Sequence, residues 1–222
     1  MLALDLFCGG GGSSMGLYYA GFNVVGVDVK SRSYLSYPFE FIQEDVFNLP
    51  SDFIRKFNLV WASPPCQAYT WASRRWKKKY PDLIPETRNL LLKAGIPFVI
   101  ENVPQAPLRK DLFLCGEMFG LNVLRHRIFE IHGFKCCQPE HLVHKPPIFM
   151  KLKNGKVVKK SAYCCVAGHG GNGISSKLKD WQKAMGIWWI KKREVLVEAI
   201  PPAYSMYIAG EFLKEKEEMK WR

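Results

Sequence analysis

A cysteine follows a short apolar run at residues 59–62, within the order Ser-Pro-Pro-Cys-Gln at residues 63–67. The run predicts a short buried strand, and the two prolines end it. A second apolar run, at residues 97–100, leads into Glu101. In open α/β sheets the carboxyl ends of the strands carry ligands and reactive groups. We therefore expect the thiol of Cys66 and the carboxyl of Glu101 to converge at that edge, although Glu101 taken alone would be an ordinary loop residue.

A glycine-rich loop follows the first predicted strand, residues 2–7, and leads into a predicted helix that extends to Ala20. This order is typical of nucleotide binding, because glycine lets a ligand approach the backbone and a helix N-terminus offers free N–H groups. A dinucleotide fingerprint would need glycine where Met15 stands, and no Gly-Lys-Ser/Thr follows, so both of those motifs are excluded. The alternative is a glycine-rich turn without a ligand.

Two further predicted strands, residues 22–28 and 39–43, lead into acidic residues. Asp28 lies about 20 residues beyond the glycine loop, where an acid commonly accepts hydrogen bonds from ribose hydroxyls. The alternative for Asp28 is a helix N-cap. Asp45 is a candidate acceptor for an adenine amino group, or else a loop carboxylate. Together the three strand ends predict a pocket for an adenosine moiety.

The chain carries a formal net charge of +12, with a pI near 9.4, in 222 residues that are 48% apolar. This length predicts one α/β domain with at most a modest appendage. The charge favours nucleic acid as a partner, with solubility or an anionic membrane surface as alternatives. Cations and aromatic residues alternate just after Cys66, where they would bind phosphates and stack on bases unless the segment is a solvated loop. The candidate nucleic-acid contacts are Gln67, Trp71, Arg74, Arg75, Lys77 and Lys78.

No apolar run approaches the ~18 residues of a membrane span, and the N-terminus lacks the basic region of an export signal. We therefore expect no membrane partner, a cytoplasmic location and reduced thiols for the seven cysteines.

Residues 124–131 alternate as a strand does, which predicts that Arg125 and Arg127 share one face. Two guanidinium groups side by side form a fork for phosphate or a base carbonyl, the alternative being an exposed strand face. Residues 151–158 predict a hairpin with an Asn-Gly turn, and its lysines are placed to follow a phosphate backbone.

Cysteine and histidine are frequent between residues 136 and 169, and both are usual zinc ligands. Their spacing matches no paired Cys-x-x-Cys pattern, and adjacent cysteines rarely bind one ion together, so we expect no metal. The residues considered are Cys136, Cys137, His141, His144, Cys164, Cys165 and His169.

Five motifs together resemble the ordered motif series of the DNA cytosine-5 methyltransferase family. They are Asp-Leu-Phe-Cys-Gly-Gly-Gly-Gly at 5–12, Pro-Pro-Cys-Gln at 64–67, Glu-Asn-Val at 101–103, Arg-His-Arg at 125–127 and Ile-Pro-Pro-Ala-Tyr at 200–204. One of them alone would be a weak signal, but five in the family's order are specific. The series spans the chain from its first strand to near its end.

The resemblance implies a Rossmann-like α/β fold that binds S-adenosyl-L-methionine and carries a small target-recognition insertion. The division it implies is a catalytic core at 1–134, a recognition region at 135–190 and a C-terminal segment at 191–222 that packs back on the core. The implied cofactor-binding residues are Phe7, Cys8, Gly9, Gly10, Gly12, Asp28, Asp45, Pro64 and Tyr204.

The resemblance also implies a reaction. Cys66 would add to C6 of a cytosine flipped out of double-stranded DNA, because C5 is otherwise a poor nucleophile. Glu101 would contact or protonate N3, and Arg127 with Arg125 would hold the carbonyl or phosphate. C5 would then take the methyl group, and loss of its proton with expulsion of Cys66 would release 5-methylcytosine. The implied catalytic residues are Cys66, Glu101, Arg127, Arg125 and Pro65.

Two departures from the family pattern affect specificity. Val123 stands where the family usually has glutamine, and only 72 residues separate Arg127 from Ile200, where many members insert a larger recognition domain. The recognised site is therefore short or loosely specified, or a partner assists. By analogy the compact chain is a prokaryotic or viral modification enzyme, compatible with a monomer and with a cognate restriction enzyme as partner. The alternatives are methylation of RNA cytosine and a catalytically silent nucleic-acid-binding module.

Overall fold

A seven-stranded sheet forms the centre of the computed structural model, which describes residues 1–70, 79–151, 157–167 and 177–220. The strand order is β3-β2-β1-β4-β5-β7-β6. Strands β1 to β5 run parallel, whereas β7 is antiparallel to both β5 and β6. The strands are β1 Leu2–Leu6, β2 Asn23–Asp28, β3 Glu40–Gln43, β4 Leu59–Ala62, β5 Phe98–Asn102, β6 Leu112–Leu114 and β7 Arg127–His132.

Seven α-helices are present in the described residues. They are α1 Gly12–Tyr19, α2 Arg32–Leu35, α3 Ser51–Ile54, α4 Ile84–Ala94, α5 Leu178–Met185, α6 Arg193–Leu196 and α7 Pro202–Lys220. Short 3₁₀ turns lie at Val46–Asn48 and Gly116–Phe119. A separate antiparallel pair, β8 Ile148–Lys151 and β9 Val157–Lys160, confirms the predicted hairpin, while its predicted turn lies outside the described residues.

Strand β4 is apolar along its whole length because helices cover both faces of the sheet. All four residues of β4 are buried. Alternate residues of this strand therefore enter different cores: Val60 packs with Leu91 of α4, and Trp61 packs with Phe212 of α7. A third cluster, which includes Trp181 and Ile190, packs against Cys8 at the end of β1.

Helix α7 lies directly against α1, which begins at the glycine loop. A Cβ atom on Gly16 would stand 2.0 Å from the carbonyl oxygen of Pro202, so only glycine permits this approach. Ser205 Oγ donates a hydrogen bond of 2.7 Å to the carbonyl oxygen of Ser13. The late part of the chain thereby holds the start of α1 in place.

Two strand predictions need correction at the sheet's reactive edge. Strand β5 continues through Glu101 and Asn102, so Glu101 is a buried strand residue and not the first residue of a loop. Strand β7 begins only at Arg127, and Arg125 lies before it with φ +43, in the left-handed region. The prediction that Arg125 and Arg127 share one strand face is therefore wrong.

Among the described helices, none combines the length and apolar character needed to cross a membrane.

Candidate active site

A pocket of about 230 Å³ lies at the carboxyl ends of β1, β2, β4 and β5. Its walls come from the glycine loop, the turn after β2, the Pro-Pro-Cys loop, the end of β5, the two arginines near β7 and the segment before α7. The lining residues are Phe7, Cys8, Gly9, Gly10, Gly12, Ser13, Asp28, Val29, Lys30, Ser63, Pro64, Pro65, Cys66, Gln67, Glu101, Asn102, Arg125, Arg127, Val197, Glu198, Ala199 and Ile200.

Cys66 reaches the pocket on the loop that follows β4. The loop is tied to the neighbouring strand, because Asn102 Nδ2 donates a hydrogen bond of 2.8 Å to the carbonyl oxygen of Pro64. Asn102 is itself 1% exposed, and its Oδ1 accepts a hydrogen bond from the backbone N–H of Val103. The position of the thiol therefore depends on an amide at the end of β5.

Glu101 and Arg127 form an ion pair in the wall of the same pocket. Arg127 Nε lies 2.7 Å from Glu101 Oε1, and the two side chains are 12% and 7% exposed. Glu101 pairs in register with Phe129 across the antiparallel strands β5 and β7. Arg127 lies two residues before Phe129 and so on the same face of the sheet. The strand register thus brings the carboxylate and the guanidinium together.

The charges around Cys66 act in opposite directions. Burial raises the pKa of the Cys66 thiol, the Arg127 and Arg125 cations lower this pKa, and the Glu101 carboxylate raises it. The net shift is upward. Cys66 is therefore a thiol at neutral pH, so a proton must leave during its reaction.

The glycine loop and the end of β2 form the other side of the pocket. Gly9 has φ +51, and no atom lies within 4 Å of the place where a Cβ would stand. Its N–H donates a hydrogen bond of 3.0 Å to Asp28 Oδ2, while the N–H of Lys30 donates to Asp28 Oδ1. Asp28 is not a helix N-cap, because Ser31 caps the following helix α2.

These residues fit the chemistry of S-adenosyl-L-methionine. Ribose hydroxyls donate hydrogen bonds, which the carboxylate of Asp28 can accept. Gly9 leaves the backbone open to a ligand, and the ring of Phe7 offers an apolar surface for adenine. The outer wall is closed by an ion pair of 3.0 Å between Lys30 and Glu198.

Two residues predicted to bind the cofactor do not line the pocket. Asp45 caps the short 3₁₀ turn after β3, where its Oδ1 accepts a hydrogen bond from the N–H of Phe47. Tyr204 is fully buried, and its hydroxyl donates to the carbonyl oxygens of Leu124 and Arg125. Asp45 therefore holds the backbone of its own turn, whereas Tyr204 holds backbone that lies 79 and 80 positions earlier in the chain.

Arg125 lines the pocket but does not form the predicted fork with Arg127. Its guanidinium donates hydrogen bonds to three backbone carbonyl oxygens, those of Val166, Val197 and Ala199. Because these carbonyls belong to the later part of the chain, Arg125 fastens the pocket's outer wall to the sheet. This is a positioning role.

The nucleic-acid contacts predicted after Cys66 are only partly described. Gln67 lines the pocket beside the thiol. Trp71, Arg74, Arg75, Lys77 and Lys78 lie outside the described residues.

Asn102 is one residue of the site that sequence reasoning missed, as are Lys30 and Glu198 of the outer wall. Asn102 stands beside Glu101 in one of the five motifs, and a buried amide at a strand end needs hydrogen-bond partners. The position of Asn102 at the end of a buried strand was the signal in the sequence that could have identified it. Its partner, the carbonyl oxygen of Pro64, lies 38 positions earlier and follows only from the pairing of β4 with β5.

Comparison with solved structures defines the class of protein to which this fold belongs. A protein assigned as a DNA modification methyltransferase, encoded within an E. coli prophage, aligns over 98% of this chain and 100% of its own, at 14% identity and a TM-score of 0.62. The S. pombe Dnmt2 methyltransferase aligns over 97% and 99%, at 15% identity and 0.61. The Entamoeba histolytica methyltransferase EhMeth aligns over 97% and 98%, at 14% identity and 0.58. The chain therefore has the Rossmann-like fold of S-adenosylmethionine-dependent methyltransferases.

The sequence defines the family within that class. The profile of the C-5 cytosine-specific DNA methylases matches residues 1–111, which is half of the 222-residue chain. A search of curated proteins finds no significant match. The chain belongs to the C-5 cytosine-specific DNA methylase family and is a DNA cytosine-5 methyltransferase.

Proposed function

We propose that this pocket binds S-adenosyl-L-methionine beside a cytosine flipped out of double-stranded DNA, and that Cys66 is the nucleophile. The observation that carries the proposal is the shared lining of one pocket by Cys66, the Glu101–Arg127 pair and the open glycine loop with Asp28. The first two features suit attack on a base, and the third suits an adenosine moiety.

Cys66 gives its proton to solvent and adds to C6 of the cytosine, which makes C5 electron-rich. Glu101 holds a proton at N3, which accepts the electron density that addition pushes into the ring. Arg127 keeps Glu101 in position and offers its remaining N–H groups to the base carbonyl. Water at the site takes the C5 proton, the electron pair of the C5–H bond re-forms the C5–C6 double bond, and Cys66 leaves as a thiolate, while the proton at N3 returns to Glu101. The thiolate then regains a proton from solvent, which restores the thiol. S-adenosyl-L-methionine, when bound, supplies the methyl group that ends on C5.

The direction of attack explains why the base must leave the DNA helix. Cys66 must reach one face of the ring, and that face is covered in a stacked duplex. Pro64 and Pro65 limit the freedom of the loop that presents the thiol, so the attacking group is positioned before the base arrives.

The remaining features are consistent with DNA as the substrate. The formal net charge of +12 supplies cations for phosphate contacts. Gln67 stands at the pocket beside Cys66, where it can contact the strand that the base leaves. We assign target recognition to region 135–190, with a monomer as the acting form and a cognate restriction enzyme or specificity partner as the expected associate.

The test measures transfer of a labelled methyl group to mixed-sequence DNA, with base-resolution sequencing of the product. The variants are Cys66→Ala and, as a matched control, Cys137→Ala, which removes an exposed thiol outside the pocket. We expect label at cytosine C5 for wild type and control, and none for Cys66→Ala. Methyl transfer to RNA alone, or DNA binding without transfer by cofactor-bound protein, would overturn the proposal.

A covalent trap tests the nucleophile separately. DNA with 5-fluorocytosine at the target cannot lose a proton from C5, so the bond between sulfur and C6 persists. We expect a stable adduct for wild type and Cys137→Ala. An equal yield of adduct with Cys66→Ala would show that the nucleophile is misassigned.

A further inference from the structure

Four side chains with metal-binding atoms converge outside the pocket. They are Cys115, His126, His141 and His144, and one ligand atom from each lies within 4.8 Å of all the others. This Cys-His cluster differs from the sets considered in the sequence, because it joins two histidines of the irregular segment 135–147 to residues 15 or more positions earlier. Cys136, Cys137, Cys164 and Cys165 do not belong to it.

The sheet and the segment 135–147 each supply two members of the cluster. Cys115 follows β6 and caps the 3₁₀ turn Gly116–Phe119, while His126 immediately precedes β7. His141 and His144 lie three positions apart, so one short segment supplies both imidazoles. Cys115 is fully buried, His126 and His144 are half-buried and His141 is exposed. The cluster therefore lies where the segment crosses the edge of the sheet.

The spacing of two imidazole nitrogens in the cluster is close to that around a tetrahedral ion. His126 Nε2 and His144 Nε2 face each other at 3.0 Å. Zinc–nitrogen bonds of about 2.05 Å at tetrahedral angles place two ligand nitrogens about 3.3 Å apart. A shift of a few tenths of an ångström would therefore seat an ion between these imidazoles.

Groups around the cluster orient its ligands. His144 Nδ1 lies 2.8 Å from Glu117 Oε2, so the ring directs its other nitrogen, Nε2, into the cluster. A carboxylate behind a ligating histidine is the usual arrangement in zinc sites, where it sets the tautomer and the ring orientation. His126 stacks on Phe113 with ring centroids 5.1 Å apart, which limits its rotation. Two of the three imidazoles are thus held in place by neighbours outside the cluster.

We propose that Cys115, His126, His141 and His144 bind a structural zinc ion. One thiolate and three imidazoles are ligands that zinc prefers, and four protein ligands leave no open position for catalysis. The ion would fasten segment 135–147 to the sheet edge. Because His126 lies between Arg125 and Arg127, it would also fix the start of β7, which carries the arginine of the Glu101 pair.

The experiment measures zinc per chain by mass spectrometry in full-length protein purified without chelator. The zinc is then replaced by cobalt, because a cysteine ligand produces a thiolate-to-cobalt absorption band. The variants are Cys115→Ser, His141→Ala and Glu117→Gln. Matched controls are Cys137→Ser and His132→Gln, which change a thiol and an imidazole outside the cluster.

We expect one zinc per chain and a cobalt–thiolate band for wild type and controls. Cys115→Ser should lose the band, His141→Ala should lower zinc affinity by about 100-fold, and Glu117→Gln should lower it by about 10- to 100-fold. Chelation should lower the unfolding temperature of wild type and leave that of Cys115→Ser unchanged.

Two results would overturn the proposal. One is wild-type protein that takes up no stoichiometric zinc and shows no cobalt–thiolate band when either metal is added. The other is a His141→Ala variant that binds zinc as tightly as wild type. His141 is exposed, so this variant decides the matter even if Cys115→Ser fails to fold.

Discussion

Two arginine–carboxylate pairs lie on opposite faces of strand β7, and only one of them is at the pocket. Glu130 lies on β7 itself and pairs with Arg88 of α4, while Glu101 lies on β5 and pairs with Arg127 at the start of β7. Both carboxylates are buried, at 2% and 5% exposed. The ion pairs have the same length, 2.7 Å. Burial and a guanidinium partner therefore do not distinguish a reactive carboxylate from a structural one.

The surroundings of the two carboxylates do distinguish them. The carboxylate of Glu130 accepts hydrogen bonds from Nε and Nη2 of Arg88, from the backbone N–H of Arg109 and from Nε2 of His132. Both of its oxygens therefore have partners. Glu101 instead lines a cavity that a base can enter. A buried carboxylate that faces a cavity is available to a ligand. A buried carboxylate whose oxygens all accept hydrogen bonds from the protein is part of the scaffold.

The largest expected difference is in catalysis. Glu101→Gln should lower the rate of methyl transfer by about 10²- to 10⁴-fold, because glutamine cannot hold the proton at N3. Glu130→Gln should leave the rate per folded molecule within about twofold, since it lies on the other face. Steady-state methylation with the folded fraction measured by circular dichroism tests this, and a Glu101→Gln enzyme with more than a tenth of wild-type activity would contradict it.

For stability, the order of the two variants should be the opposite, with the larger loss for Glu130→Gln. Removing one partner of a buried ion pair costs about 3 kcal/mol, the low end of the usual range, because Arg88 remains 27% exposed. Glu130→Gln should therefore lower the free energy of unfolding by about that amount in urea titrations. Glu101→Gln should cost less, because it disturbs the contact with Arg127, whereas Glu130→Gln disturbs four hydrogen bonds to the Glu130 carboxylate. A larger loss for Glu101→Gln would contradict the distinction.

The Arg88–Glu130 pair predicts that the stability of the protein depends on pH. Burial alone would raise the pKa of Glu130, but hydrogen bonds from Arg88, His132 and the Arg109 backbone outweigh it and lower this pKa from 4.5 to about 2. The folded-state value lies below the unfolded one, so the stabilisation is complete above about pH 4.5 and is lost as the pH falls towards 2. Urea titrations across this interval should show a shallower decline for Glu130→Gln than for wild type. Parallel declines would contradict the assignment.

Asn102 tests whether the pocket depends on its scaffold. Asn102→Ala removes the hydrogen bond to Pro64 that holds the Cys66 loop, and a small misplacement of a nucleophile costs about 10²-fold in rate. We expect kcat to fall by about this factor, with the KM for the cofactor little changed. Asn48→Ala, which alters an exposed asparagine, is the matched control. Equal kinetics for the two variants would show that Asn102 does not position the loop.

The smallest expected effects concern the reactivity of Cys66 in the free protein. Because the Glu101 carboxylate raises the pKa of this thiol and the Arg127 cation lowers it, Glu101→Gln should speed alkylation by iodoacetamide and Arg127→Gln should slow it. Each change should be about fivefold, which corresponds to about 1 kcal/mol of charge interaction. Peptide mapping by mass spectrometry assigns the modified cysteine, and changes in the same direction for both variants would refute this electrostatic account.

Local patterns in the sequence predict much of the scaffold. Residues 59–62 form β4 as expected, because an uninterrupted apolar run suits a strand covered on both faces. The apolar runs at 59–62 and 97–100 also predict that Cys66 and Glu101 lie at one edge of the sheet, which the pocket confirms. These predictions succeed because hydropathy and strand-ending prolines are properties of residues that are adjacent in the sequence.

Backbone detail at strand ends is less predictable. The alternation at 124–131 suggests one continuous strand, yet Arg125 adopts φ +43 and β7 begins only at Arg127. The carbonyls of Val166, Val197 and Ala199 draw the Arg125 side chain into the outer wall. Those partners lie 41 to 74 positions away, so a local pattern cannot contain them.

The sequence by itself determined the family, the parallel strands and the thiol and carboxyl that the family's chemistry requires, because each resides in a short motif with its own physical signature. Only the tertiary structure decided that Asn102 holds the Cys66 loop, that Arg125 fastens a wall of the pocket, and that Cys115 and His126 meet His141 and His144. Those contacts depend on which strands and loops lie side by side, a property of the whole chain's topology.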